Sequence, residues 1–162
     1  MPISSEAMEL ENQSLGAHGA ATLGPAYVLL RGQWKRGDRD RELALHLMFL
    51  AWYLAVEPPY LTGADEALVP SDELQAVFNE VHDCLLPYCD ATNDAEALYA
   101  VGLAAHMFPW ALGDEQLWMR RSKTYRARYR QLLPDGIDPA QFDGRGAYGV
   151  YYGGQARVGG GY

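Results

Sequence analysis

From Leu43 to Val56 the chain runs fourteen residues that are apolar except for His46, and this run decides much of what the fold can be. A helix needs about 18 to 20 apolar residues to cross a bilayer, so the run is too short to span one. It reads instead as a helix at the centre of a folded core. Asp38 or Asp40 is placed to cap its start, and Pro58 with Pro59 forbids its continuation.

The punctuation elsewhere is also helical. Pro25 opens a helix that Gly37 can close, since proline suits a first helical position and glycine takes the left-handed conformation just past the end. Pro70 and Ser71, followed by Asp72 and Glu73, mark another start. From there Leu74, Val77, Phe78, Val81 and Leu85 fall on one stripe, and Pro87 is expected to end the helix. Asn93 with Glu96 suggests a capping box for a nearly all-apolar helix that reaches Phe108. Gly113 and Asp114 open a last helix to about Leu133, before the turn Pro134-Asp135-Gly136.

These signals predict an all-α fold: a five-helix single domain of antiparallel helical hairpins over residues 24–136. Residues 1–23, polar and without a sustained period, are expected as a flexible N-terminal arm. Residues 137–162 are expected as a Gly/Tyr-rich C-terminal tail, with eight glycines and four tyrosines from Gly144 onward. The tyrosines are suited to dock on the chain's own body or on a neighbouring subunit.

Two hairpins turn on a Gly-Asp pair, Gly37-Asp38 and Gly113-Asp114, with Pro58 and Pro134 after their second helices. In this the chain resembles the tetratricopeptide class of helical repeats over 25–59 and 94–134. It departs from that class in lacking its 34-residue period, and in placing Glu42 and Trp118 where the class has a small residue. The resemblance implies a groove for a peptide or protein segment and no catalysis.

Charge is segregated along the chain. Of thirteen Lys and Arg residues, five lie between Arg31 and Arg41, six between Arg120 and Arg130, and none between Glu42 and Met119, which holds thirteen of the twenty-one acids. The net charge of -8 disfavours nonspecific attraction to nucleic acid or anionic membranes. No basic residue precedes a hydrophobic run at the start of the chain, so a reducing cytoplasm is the expected compartment.

The last helix is basic and amphipathic. Trp118, Ser122, Tyr125 and Tyr129 form a stripe that Arg120, Arg121, Lys123, Arg126, Arg128 and Arg130 flank. With Arg31, Lys35 and Arg36 these are the candidate residues for a partner or an anion, because the arginine fork makes bidentate contacts with carboxylates and phosphates. The competing reading is a set of arginine stems covering the rim of a core and pairing with the acidic body. His82, Cys84 and Cys89 are metal-ligand types, but their spacing matches no zinc pattern and no metal or other cofactor is expected. His46 and His106 stand on the two most apolar helices, and Glu42 lies one turn from His46, yet no catalytic motif accompanies them.

The sequence therefore favours a noncatalytic helical interaction module or assembly subunit, adaptor or chaperone-like, with a protein partner or self-association. The alternatives are an anion or nucleic-acid binder through 31–41 and 120–130, and a small helical enzyme.

Overall fold

In the computed structural model, which describes residues 2–159, the apolar run is the central helix α3 (Arg41–Val56). The Asp40 carboxylate caps it by accepting from the amides of Glu42 and Leu43, and eleven of its residues are buried. The other elements are α1 (Ser5–Gln13), α2 (Leu23–Lys35), α4 (Pro59–Thr62), α5 (Ser71–Thr92), α6 (Ala95–Met107), α7 (Glu115–Leu132) and α8 (Gly146–Val158), with short 3-10 turns at Pro109–Leu112 and Pro139–Phe142.

Seven of the eight α-helices among the described residues contribute to one hydrophobic core, α4 burying only Thr62, and the described residues contain no strand. Helix α3 packs most extensively on α5 and also touches α2, α6 and α8; α6 pairs with α7, and α1 bridges α2 and α8. Helix α2 contacts α3 and α6 contacts α7, and Gly37 and Gly113, in the connections between them, have positive φ of 95° and 122°.

The count of five helices is corrected to eight. Within the segment expected as a flexible arm, the Ser4 hydroxyl caps α1, whose Ala7 and Glu11 have no exposed surface. Within the expected tail, α8 buries Tyr148 and Tyr152 completely. The tail's last tyrosine, Tyr162, lies outside the described residues.

Two expected boundaries also move. Helix α5 runs through Pro87 to Thr92, because Leu85 and Cys89 bury on the same stripe while Pro87 faces solvent, where a missing amide donor costs least. Asn93 ends α5 in the left-handed conformation at φ 51°, and Asp94, not Asn93, caps α6 through the Ala97 amide. The start of α5 is capped by the Glu66 carboxylate, which accepts from the Ser71 amide at 3.1 Å.

Candidate interaction surface

Many of the basic residues singled out in the sequence are engaged within the chain. In the first cluster Arg31 and Lys35 both pair with Glu73 on α5, Arg39 lies 4.0 Å over the Trp34 ring, and Arg41 holds Asp94 and Glu96. Arg36 is exposed at the end of α2. On α7 the aromatic stripe is buried as its spacing implies, with the Ser122 hydroxyl donating to the Gly102 carbonyl at 3.0 Å. Arg121 lies over Trp118 at 4.6 Å and Arg130 over Tyr129 at 5.6 Å, while Arg128 pairs with Asp90 at 2.6 Å. Arg120, Lys123 and Arg126 are exposed. Helix α5 takes ion pairs from both clusters, Glu73 from the first and Asp90 from the second. Much of the basic charge thus closes on the acidic body.

The candidate metal residues are likewise dispersed in role. His82 is buried between Asp83, whose carboxylate accepts from Nδ1, and the Tyr125 hydroxyl, 2.7 Å from Nε2. Burial depresses the His82 pKa, and the nearby Arg121 charge adds to this against the opposing Asp83, so the ring is neutral with Tyr125 donating to it. Cys89 is a buried thiol whose pKa burial pushes up to about 11, and Cys84 is exposed. Among the described residues no group of three or more His, Cys, Asp or Glu is arranged to hold a metal ion.

His46 lies at the centre of a buried charge network that the sequence showed only in the Glu42–His46 spacing. Its Nδ1 is 2.7 Å from Glu11 Oε1 and its Nε2 is 3.2 Å from Glu42 Oε1. Arg145 grips both Glu42 oxygens at 2.7 Å and reaches Glu96 at 2.8 Å, and the Tyr148 hydroxyl donates to Glu96 at 2.7 Å. Burial opposes a charge on His46, but hydrogen bonds to Glu11 and Glu42 outweigh it and raise the pKa. Burial likewise opposes ionised Glu42, and His46 with Arg145 outweighs it, holding the carboxyl down to about 2. The network carries its charges as satisfied pairs and ties α1, α3, α6 and α8 together. His106, by contrast, is exposed near the end of α6.

An open aromatic cleft of about 390 Å³ lies where the loop after α1, α3, α4 and the first half of α8 meet, lined by Leu15, Leu23, Phe49, Tyr53, Leu61, Val150 and Tyr151 among others. One wall depends on two glycines. A Cβ on Gly24 would strike the Gly63 carbonyl, and Gly63 has a φ of 71° with the Ala21 carbonyl against it. Phe49 packs on Tyr53 and Tyr151 at 5.1 and 5.6 Å, which fixes the floor. Leu61 and Val150 stand on the rim, 55% and 57% exposed. The aromatic contacts continue from Tyr151 through Trp52 to Phe108 and the exposed Trp110. Tyr151 also donates from its hydroxyl to the Met107 sulfur at 3.3 Å.

Sequence reasoning flagged the tail tyrosines as adhesive but missed Leu61, Val150 and Phe49 as neighbours. The available signal was Tyr60-Leu61, two large apolar residues directly after a double proline.

No known protein family, curated protein sequence or solved structure matches this chain significantly.

Proposed function

We propose that this chain is a noncatalytic helical interaction module that receives a segment of a partner protein in the cleft between α3, α4 and α8. The single observation that carries this reading is the cleft itself, with large apolar and aromatic side chains left exposed on its rim while the core beneath is closed. Contiguous exposed apolar surface of this kind marks interaction sites, and Tyr, Trp and Met are the residue types that interfaces favour. The titratable groups support the noncatalytic part. His46 and His82 have both ring nitrogens engaged, and the space beside His82 and Tyr125 is about 10 Å³, too small for a substrate.

Binding of a polyanion through the two basic clusters is the weaker reading, since Arg31, Lys35, Arg41 and Arg128 already have carboxylate partners. Removing the residues after Asp143 would not test self-association, because it would strip Tyr148 and Tyr152 from the core. Substitutions on the cleft rim avoid that.

The test is selection of peptides from a displayed random library on the wild-type chain, with the double variant Leu61→Ser, Val150→Ser as counter-target. Enriched peptides that bind the wild type and not the variant support the reading. Peptides that bind both equally, or no enrichment at all, would overturn it. Light scattering on both proteins shows whether the partner segment belongs to a second copy of the chain.

A further inference from the structure

The elements that build the cleft bring almost no positive charge to it. The chain has no Lys or Arg before Arg31 and none between Glu42 and Met119, a span that covers α1, the loop after it, nearly all of α3 and all of α4. The two arginines adjoining or within α8 are committed elsewhere, Arg145 to Glu42 and Glu96 and Arg157 to Asp143 at 2.7 Å.

The negative charge at the cleft is not so committed. Glu57, which ends α3, makes no ion pair among the described residues. It follows the cleft residue Tyr53 by one helical turn, its amide donating to the Tyr53 carbonyl at 3.0 Å, and its charge adds to burial in raising the phenol pKa values of Tyr53 and Tyr151. The face therefore offers an apolar hollow, partly exposed tyrosine rings and one uncompensated carboxylate. A cation beside that carboxylate would also meet the negative faces of the rings, which attract Lys and Arg.

We infer that the partner segment is basic and amphipathic, placing an apolar side chain between Phe49, Leu61 and Val150 and a lysine or arginine against Glu57 and the tyrosine rings. This inference rests on the interaction reading above and adds the charge of the partner to it. An acidic segment would meet the Glu57 charge with no lysine or arginine lining the cleft to offset it, and opposing rim charges set partner choice and association rate.

The probe is a fluorescently labelled helical peptide of leucine and lysine at amphipathic spacing, beside a counterpart with glutamate at every lysine, each titrated against the full chain by anisotropy. The lysine peptide is expected to bind and the glutamate peptide not to. Glu57→Gln should weaken the lysine peptide roughly three- to fivefold, as expected for one solvent-accessible pair. Asp135→Asn, which removes an exposed carboxylate beyond the far end of α7, should leave binding unchanged, and Leu61→Ser should weaken it. Equal losses for Glu57→Gln and Asp135→Asn would mean attraction to the overall acidity of the chain, and would overturn the inference. Preferential, Leu61-dependent binding of the glutamate peptide would overturn the charge assignment while leaving the cleft as an interaction site. Binding of neither peptide overturns the inference too, and the displayed-library selection then decides the interaction reading separately.

Discussion

The carboxylate of Glu11 reaches His46 across two helices, with Oε1 2.7 Å from Nδ1 and neither side chain exposed to solvent. Its second oxygen accepts from the Ala147 amide at 2.9 Å, at the start of α8 where backbone donors are otherwise unpaired. One carboxylate thus fastens the first helix, the central helix and the last. Glu11→Ala would leave a buried histidine charge and an orphaned amide, and is expected to cost about 3 to 5 kcal/mol. Urea unfolding checks this; a loss below about 1 kcal/mol would show that the pair contributes little net stability.

The two buried histidines are expected to act on stability in opposite directions of pH. His46 has its folded pKa raised above the ordinary value of 6.5, so its contribution is complete below that value and declines as pH rises toward the folded pKa. His82 has its folded pKa lowered, so it costs nothing above 6.5 and stability falls as pH drops from 6.5 toward the folded pKa, because only the unfolded chain takes up the proton. Stability should therefore peak near pH 6.5. The limbs should have slopes of up to ~1.4 kcal/mol per pH unit. His46→Gln should flatten the alkaline limb and His82→Gln the acidic one. Urea titrations between about pH 5 and pH 8 test this, and an alkaline decline that persists in His46→Gln counts against the assignment.

How much of this was legible in the sequence depended on what each helix buries. Helices α2, α3, α5, α6 and α7 bury apolar stripes and carry proline, glycine or aspartate at their ends, so periodicity and punctuation found them. Helix α1 was missed because one of its two buried residues is Glu11, and a buried carboxylate looks like a solvated one until its partner is known. Helix α8 was missed because its glycines signal flexibility. Gly149 and Gly153 are instead places where Phe142 crowds the helix, and Tyr148 and Tyr152, four residues apart, are its buried stripe. The cleft was not legible because Leu15, Phe49, Leu61 and Val150 are far apart in sequence and meet only through the fold.

Glycine content in α8 can be separated into required and dispensable positions. Gly146 has a φ of 61°, and a Cβ there would overlap the Glu11 carboxylate and the Met8 sulfur. Gly146→Ala is expected to cost about 2 kcal/mol or more, from left-handed strain alone about 1 to 2. A Cβ on Gly154, inside the same helix, would meet nothing within 4 Å beyond the helix's own backbone. Gly154→Ala should stabilise the chain by about 0.5 to 1 kcal/mol by restricting the unfolded backbone. Thermal unfolding of the two variants gives the signs directly, and a stabilising Gly146→Ala would mean that Glu11 does not hold the start of α8.

Two ion pairs of nearly equal length should differ severalfold in worth. Arg145 to Glu42 is 2.7 Å and Arg128 to Asp90 is 2.6 Å, but the side chains of the first pair are 19% and 31% exposed, against 32% and 57% for the second. Arg145 also reaches Glu96 and lies 5.1 Å over the Tyr148 ring. Its removal strands partly buried carboxylates beside the Glu11–His46 pair, whereas removing Arg128 returns Asp90 to water. Arg145→Ala is therefore expected to lose about 2 to 4 kcal/mol and Arg128→Ala about 0 to 1. Added salt sharpens the contrast, since at 1 M the screening length falls to about 3 Å and solvent-exposed pairs fade first. In urea titrations at low and high salt, the Arg128→Ala difference should vanish while the Arg145→Ala difference persists. Equal losses for both variants would mean that α8 is held by packing of Tyr148 and Tyr152 and not by its arginine.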